Sequence, residues 1–249
     1  MTDGSDPLAS LAMLDGVFET VEAARASVDS LLRELRGPGL RARVREVTSE
    51  SVRRSAWASV TLEGDTGPVG DFQPPFQEPL PRNVFALYAE LGTLASTFAK
   101  APGQALAHLH ARAAADLAPQ DALGRPRTPE AAARLESLTR LLETPTSAPA
   151  LVTAAVAHGE VRASDAFGEA SGVVSRLVSR CVLIGRGLDP LAVSVPEEGH
   201  LRLGRETYTQ ALAAYRTGTT AGVKQWLAHC AEAVAVGGEV GREVARSLT

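Results

Sequence analysis

The sequence predicts an all-α fold in which helices surround one buried central helix, and three observations support this. Of the 249 residues, 45% are hydrophobic, 22% are charged and only 4% are aromatic, a composition that favours helices. Apolar residues recur at steps of three and four along much of the chain, without a convincing pair of strands or an internal repeat. Residues 172–187 are apolar on nearly every side, which is typical of a helix buried at the centre of a domain.

The first 64 residues predict two helices. Apolar residues recur at helical spacing from Leu8 to Arg36, and the segment Gly37-Pro38-Gly39 then supplies residues that commonly end a helix. A second helix is expected from Leu40 to Glu63, with Gly64 as the residue just beyond its carboxyl end.

The remaining residues predict one loop and a series of helices. Residues 65–82 are rich in glycine and proline, so we expect a connecting loop there. Thr128 and Pro129 predict a sharp helix start, because threonine caps a helix and proline suits its first position. Besides the central helix, we expect helices over residues 83–100, 103–117, 128–143, 148–163, 205–217 and 221–244. The chain is predicted to be a single domain over 1–249, with amino-terminal helices in 1–64, a loop in 65–82 and a helical core in 83–249.

The charge pattern argues against nucleic-acid binding. The formal net charge is −4, and acidic and basic residues are interspersed. The nearest approach to a basic surface is an arginine-rich stretch that Glu46 and Glu50 interrupt, which we interpret as a solvated helix face. The arginines of this stretch are Arg41, Arg43, Arg45, Arg53 and Arg54.

Two further features bear on location. Cys181 and Cys230 lie within apolar helical patterns and have no metal-ligand spacing, so we interpret them as buried thiols in a reducing compartment. Residues 1–7 lack the pattern of a signal peptide, and no apolar run reaches ~18 residues. We therefore expect a cytoplasmic protein without a membrane span.

A short loop, residues 165–171, leads into the predicted central helix and is suited to binding an anion. The first N–H groups of a helix lack partners within it, and the helix dipole attracts negative charge. Ser171 is a suitable cap, and Gly172 allows a ligand to approach the backbone closely. Arg176 is unfavourably placed in the first turn, so we expect it to have a carboxylate or phosphate partner.

This loop resembles the signature of the Fic (Fido) family, His-Pro-Phe-x-Asp/Glu-Gly-Asn-Gly-Arg-x-x-Arg. The segment reads Asp165-Ala166-Phe167-Gly168-Glu169-Ala170-Ser171-Gly172-Val173-Val174-Ser175-Arg176, and Phe167, Glu169, Gly172 and Arg176 match in register. His158 lies seven residues before Asp165, where family members often carry a histidine. The resemblance extends from about residue 40 to the carboxyl terminus. It implies the Fic fold, ATP and Mg²⁺ as ligands, and transfer of AMP to a protein hydroxyl.

The resemblance also implies roles for the loop residues. Glu169 would bind Mg²⁺ through an oxygen. The residues that would bind a nucleotide or another anion are Phe167, Ser171, Gly172 and Arg176.

Two substitutions weaken this chemistry. Asp165 stands where the family has its catalytic histidine, and an exposed aspartate, with a pKa near ~3.9, is a poor general base at neutral pH. Val173 stands where the family has a phosphate-clamping arginine. The loop therefore carries a charge of about −1 where the family loop carries about +1, which opposes phosphate binding.

The sequence leaves little room for a further element of the family. Family members that modify proteins usually have a β-hairpin flap after a Gly-x-x-Arg segment. Here Gly124-Arg125-Pro126-Arg127 runs straight into the helix expected from Thr128, which leaves little room for a flap.

A second match lies far from the loop. Ser59-Val60-Thr61-Leu62-Glu63-Gly64 fits the Ser/Thr-x-x-x-Glu-Gly/Asn pattern of the inhibitory helix in many Fic proteins, whose glutamate bonds the second arginine of the loop. Glu63 lies at a helix carboxyl end and Arg176 near a helix amino end, so pairing would relieve two unfavourable dipole interactions. We expect a bidentate or near-bidentate pair, with N–O distances below ~5 Å.

Simpler interpretations stay open for individual residues. Glu63 can be a solvated residue at a helix end, and Asp165 and Glu169 can be loop carboxylates in water. His158 can be a hydrogen-bonded structural histidine, and Ser59 can bond to the helix backbone.

The function that we expect is that of a degenerate Fic-fold protein, catalytically weak or inactive, which acts as a binding or regulatory module with a nucleotide, anion or protein partner. One alternative is an active Fic-type transferase that moves AMP or another phosphate-containing group to a protein hydroxyl, with Asp165 as base, Glu169 as Mg²⁺ ligand and Arg176 as phosphate clamp. Another is a structural helical protein, which could form a homodimer through its long first helix.

Overall fold

The computed structural model describes residues 6–64 and 74–249, and this part of the chain contains twelve α-helices, one 3₁₀-helix and no strand. The all-α prediction is therefore confirmed. The 3₁₀-helix is Arg41–Arg43. In chain order the α-helices are α1 Pro7–Ala12, α2 Val17–Leu35, α3 Val44–Glu63, α4 Pro79–Ala89, α5 Leu91–Lys100, α6 Pro102–Ala113, α7 Pro129–Glu143, α8 Ala150–Ala163, α9 Ser171–Gly185, α10 Pro196–Leu203, α11 Arg205–Arg216 and α12 Thr220–Ser247.

Helix α9 is the buried central helix that the sequence predicts. It contacts α3, α5, α6 and α8, and nearly all of its side chains are buried. Val173, Val174, Leu177 and Val178 form part of the main hydrophobic core. The loop before α9 is consequently fixed at its carboxyl end to a buried helix.

The start of the chain differs from the prediction. The single helix expected over residues 8–36 is two helices, because residues 13–16 form turns and Gly16 adopts a left-handed conformation (φ +78°) as the cap of α2. Gly64 itself caps α3 in an extended conformation (φ −162°), so it does not follow the expected pattern of a left-handed residue beyond the cap.

The middle of the chain also differs in detail. Residues 65–73 lie outside the described part, so the loop predicted over 65–82 is described only from residue 74, and α4 begins at Pro79. The helix expected over residues 83–100 is interrupted at Glu90, between α4 and α5. The start of α7 agrees with the prediction, since the Thr128 hydroxyl accepts the N–H of Ala131 at 3.1 Å.

Helix α10 was not predicted. Its sequence is polar, but Glu197, Glu198 and His200 are buried. Glu198 forms an ion pair with Arg54 (2.5 Å), and Glu197 accepts a hydrogen bond from the Tyr88 hydroxyl (2.9 Å). Buried polar residues with partners do not produce an apolar periodicity, which is why the pattern misses this helix.

Helix α12 packs along α2 through glycines. A Cβ at Gly238 would lie 2.5 Å from Ser27 Oγ, and one at Gly241 would lie 2.4 Å from a Leu31 methyl carbon. Glycine is required at both positions because the two helices approach so closely. This contact covers the side of α2 that carries Ser27 and Leu31.

The described structure bears on the two cysteines and on the possibility of a membrane span. Cys181 and Cys230 are buried free thiols, and burial raises the pKa of Cys181 to about 12. Within the two described ranges, no helix has the length and apolar character needed to cross a membrane.

Candidate functional site

Arg176 is the centre of the candidate site. Only 2% of its side chain is exposed, and its guanidinium donates to α3: Nε to Ser59 Oγ (2.9 Å), and Nη2 to the Ser59 carbonyl oxygen (2.9 Å) and to Glu63 Oε1 (2.6 Å). The predicted ion pair between Glu63 and Arg176 is present. It is not bidentate, because the Ser59 hydroxyl takes the Nε–H that a second carboxylate oxygen would need.

Glu63 also lies against the first turn of α9. Its side chain is 24% exposed, and a Cβ on Gly172 would lie only 2.0 Å from Glu63 Oε1. No acceptor in the described ranges forms a hydrogen bond with the N–H of Gly172 or Val173. A carboxylate of the chain itself therefore lies beside the donors at which a helix amino terminus attracts an anion.

The charge of Arg176 is retained in the interior. Burial would lower the pKa of its guanidinium, but the Glu63 carboxylate and the oxygens of Tyr208 and Tyr88 outweigh burial, so the pKa is raised. Arg176 is therefore a permanent buried cation whose charge is balanced by Glu63.

The loop ahead of α9 does not use Ser171 as predicted. Ala170 is the cap of α9 and adopts a left-handed conformation (φ 60°), while Ser171 is the first helical residue. The Ser171 hydroxyl accepts the N–H of Phe167 at 3.1 Å. The prediction that Ser171 caps α9 is wrong, because the tight turn directs its hydroxyl back into the loop.

His110 supports the loop and was not predicted to belong to the site. Its ring stacks on the buried ring of Phe167, with centroids 4.5 Å apart, and its Nδ1 accepts the N–H of Gly124 at 2.9 Å. Burial lowers the pKa of His110, and the backbone of Glu169 opposes this only in part. The contacts join residues far apart in sequence, so no local pattern could have revealed them.

Asp165 lies on the outer side of the loop. Its side chain is 46% exposed and accepts a hydrogen bond from Arg127 Nη1 at 2.5 Å. The Arg127 N–H donates to the Ala166 carbonyl (2.9 Å), and a Cβ on Gly168 would lie 2.9 Å from Arg127 Cδ. Arg127 thus crosses the loop, and the Gly-x-x-Arg segment was the sequence signal that could have placed it there.

Arg127 changes the charge count of the loop. Arg127 and Arg176 together balance Asp165 and Glu169, so these four residues are neutral as a group. The negative charge expected from the sequence appears only when Glu63 is included. Electrostatic repulsion of phosphate at this site therefore depends on Glu63.

Glu169 is the candidate Mg²⁺ ligand. It is exposed, and no group of three or more His, Cys, Asp and Glu side chains suited to a metal ion exists among residues 6–64 and 74–249. Mg²⁺ is usually held by one or two carboxylates together with substrate phosphates, so Glu169 would need a bound phosphate beside it. With Glu63 against Gly172 and with Val173 buried in the core, the residues do not fit a magnesium–nucleotide complex in this arrangement.

A buried histidine cluster lies near Arg176. His158 Nε2 is hydrogen-bonded to the Tyr208 hydroxyl (2.9 Å), and His200 Nδ1 is hydrogen-bonded to His229 Nε2 (3.0 Å). Burial lowers the pKa of all three histidines, that of His229 to about 4, and the positive charge of Arg176 lowers those of His158 and His200 further. The lowered pKa values keep the cluster neutral at pH 7, so it adds no further positive charge near Arg176.

Solved structures similar to this chain identify its architecture. A Fic family protein from Desulfovibrio desulfuricans G20 matches with a TM-score of 0.65 and 18% sequence identity, over 95% of this chain and 74% of that protein's chain. The chain has the Fic fold. Fic-1 from C. elegans has the same fold, with a TM-score of 0.63, 18% identity and coverage of 90% of this chain and 71% of its own. No protein-family model matches the sequence, and no curated protein sequence does so significantly.

The Fic fold of this chain brings only some of the predicted site residues into direct contact. Ser59, Glu63, Gly172 and Arg176 meet where α3 contacts α9. The other candidates are separated from this contact: Phe167 and Ser171 pair with each other, Asp165 pairs with Arg127, and Glu169 is exposed. Their roles in binding or catalysis stay predictions.

Proposed function

We propose that this chain is a degenerate Fic-fold protein, catalytically weak or inactive, that works as a binding or regulatory module. Its anion pocket lies at the amino terminus of α9 and is closed by Glu63. The observation that carries the proposal is the contact of one Glu63 oxygen with both Gly172 and Arg176.

Competition at Arg176 supports a closed pocket. A phosphate that reaches α9 must displace Glu63 from a buried guanidinium, to which Ser59 remains bonded. A phosphate would replace one anion beside Arg176 by another, so the preference of the chain for the Glu63–Arg176 contact is subtracted from the affinity for phosphate. Each ~1.4 kcal/mol by which the chain favours the closed pocket weakens nucleotide binding about tenfold.

The outer part of the loop supports weak or absent catalysis. A general base must be free to reach the hydroxyl proton that it removes. Asp165 replaces the histidine of the Fic signature, and its carboxylate is engaged by Arg127. The oxygen that accepts the Arg127 guanidinium is therefore not free to approach a substrate hydroxyl.

An active transferase is the second candidate, and Arg127 is the observation in its favour. The guanidinium of Arg127 neutralises Asp165 at the mouth of the loop and could contact a phosphate in place of the arginine that Val173 has replaced. Asp165, Glu169 and Arg176 would then act as base, Mg²⁺ ligand and clamp.

Calorimetry with ATP and Mg²⁺ tests the proposal. We expect no measurable binding to the wild type and micromolar binding to Glu63→Gly, because this variant frees Arg176 and the start of α9. Glu46→Gly, at an exposed position of the same helix, should behave like the wild type.

A transfer assay separates the two candidates. We expect neither the wild type nor Glu63→Gly to move label from α-labelled ATP to a protein in cell lysate. Transfer that is lost in Asp165→Ala would overturn the inactive assignment, and tight ATP binding by the wild type would overturn the closed pocket.

A further inference from the structure

One face of α2 carries a charged stripe that the proposed function does not use, and the middle of this stripe borders a cavity of about 410 Å³ whose other wall includes Ser147, Pro149 and Arg186. The side of α2 that carries Ser27 and Leu31 meets α12, while Val21 and Val28 face the main core. Residues three and four apart share one face of a helix. The residues of this α2 stripe are Phe18, Glu22, Arg25, Asp29, Arg33 and Arg36.

Within the described part of the chain, the charged side chains of the α2 stripe form only long, exposed ion pairs with one another, apart from the hydrogen bond of Arg33 to the Asp29 carbonyl. Arg25 lies 3.7 Å from Glu22 and 3.6 Å from Asp29, which is beyond hydrogen-bond distance. Arg33 and Arg36 form no ion pair with any carboxylate of the described ranges. The stripe therefore offers both signs of charge to a partner.

Large apolar side chains are exposed at both ends of the α2 stripe. Of the described residues, Met13 (81% exposed), Phe18 (57%) and Leu191 (42%) are the large hydrophobic residues that face solvent. Met13 and Phe18 lie at the amino end of α2. Leu191 lies at the carboxyl end, where it lines a cavity of about 580 Å³ together with Leu32, Leu35, Arg36, Arg41, Val44 and Pro190.

We propose that a second copy of this chain packs antiparallel against the α2 stripe, about a twofold axis that crosses the stripe midway between Arg25 and Asp29. Such pairing places Phe18 over Arg36 of the second copy, Glu22 over its Arg33 and Arg25 over its Asp29. Each contact occurs twice by symmetry, and every charged pair has opposite signs. The contact is closed by the twofold axis and forms a dimer.

The order of acidic and basic residues along α2 favours an antiparallel second copy over a parallel copy or a charged peptide. A parallel second copy would place Glu22 on Glu22 and Arg33 on Arg33, which is repulsive. An acidic or basic peptide would meet like charge somewhere along the stripe, because both signs occur on it. Ala26, next to the proposed axis, is small and exposed, so it does not obstruct the approach of the second helix.

The apolar ends strengthen the same arrangement. α2 spans about 28 Å, so antiparallel pairing brings Phe18 and Met13 to the region of Leu191 in the second copy. The cavity of about 580 Å³ there is lined by leucines and arginines, which suit an aromatic ring through apolar contact and a cation–π interaction. Burial of these side chains supplies the apolar surface that a dimer needs.

Sedimentation velocity of the full chain over micromolar concentrations tests the proposal. We expect a monomer–dimer equilibrium that weakens as salt rises from about 0.05 M to 1 M, since exposed charge pairs are screened. Glu22→Arg and Arg33→Glu should each weaken the dimer at least about tenfold, because each reversal makes two symmetric pairs repulsive.

Mixing the two charge-reversal variants is the decisive step. An equimolar mixture should regain a heterodimer, because positions 22 and 33 are both basic in the Glu22→Arg chain and both acidic in the Arg33→Glu chain that faces it. Glu136→Arg, at an exposed position of α7, is the matched control and should keep the wild-type equilibrium. A wild type that stays monomeric at about 100 μM, a dimer insensitive to both reversals, or a mixture that stays monomeric would overturn the proposal.

Discussion

Two arginine–carboxylate pairs flank the loop before α9, and they differ mainly in burial. The pair of Arg127 and Asp165 lies on the outer side with both side chains about half exposed, whereas Arg176 is almost fully buried beneath Glu63. Their shortest N–O distances are nearly the same, 2.5 and 2.6 Å. Contacts of equal length therefore differ in how much they stabilise the fold. Water screens the exposed pair, whereas the buried Arg176 cation depends on Glu63 to balance its charge.

Removing the buried cation should give the largest effect. Arg176→Ala leaves a cavity and takes away the partner of Glu63 and Ser59, so we expect the free energy of unfolding to fall by about 3–5 kcal/mol. Urea denaturation followed by circular dichroism measures this change. A loss below about 1 kcal/mol would show that Arg176 is not held as the structure indicates.

A fall in pH should give the second-largest effect, because it should destabilise the buried cluster of His158, His200 and His229. The folded-state pKa of His229 is lowered to about 4, and those of His158 and His200 are also lowered, relative to an unfolded value near 6.5. Protons therefore bind the unfolded chain more readily than the folded one. The stability that the neutral histidines contribute is fully present above pH 6.5 and is lost as the pH falls towards 4. For His229 the loss can reach about 3 kcal/mol.

The variant His229→Gln isolates this contribution from that of the carboxylates. We expect the difference in unfolding free energy between wild type and variant to shrink between pH 7 and pH 4.5, as measured by denaturation at each pH. A difference that is constant with pH would contradict the assignment of a neutral buried His229.

A methyl group at Gly172 should displace the Glu63 side chain from Arg176 and should lower the free energy of unfolding only slightly. The Cβ of Gly172→Ala would meet the flexible end of Glu63 at 2.0 Å, and the side chain can move outward because it is partly exposed. We expect a loss of about 1 kcal/mol in unfolding free energy, as for an ordinary substitution. A crystal structure in which Glu63 still bonds Arg176 would contradict the close packing described here.

The outer pair should give the smallest effect. Asp165→Asn removes a pair that is about half exposed, so the expected change in unfolding free energy is below about 1 kcal/mol and falls further in 1 M salt. A double-mutant cycle with Arg127→Met measures the pair energy directly. A coupling above about 2 kcal/mol would mean that the two pairs do not differ as proposed.

The sequence predicted the parts of the molecule that local patterns determine. The apolar residues of α9 and the Thr128-Pro129 start of α7 gave the central helix and a helix boundary. The pairing of Glu63 with Arg176 followed from two charges placed against their helix dipoles and from the Fic resemblance.

The missed features depend on tertiary contacts. α10 is held by buried polar pairs, and the break near Gly16 lies within a continuous apolar pattern. Arg127 and His110 reach the loop from other parts of the chain, and Ser171 turned out to bond the loop rather than cap α9. A single sequence carries no distance information about such contacts.

The amide signal of Gly172 in NMR spectra gives the most direct measurement of closure by Glu63. Titration with inorganic pyrophosphate should leave this signal unchanged in the wild type and should shift it saturably in Glu63→Gly, because only the variant exposes the amino terminus of α9. A saturable shift of the Gly172 amide in the wild type, with the same affinity as in the variant, would contradict the account.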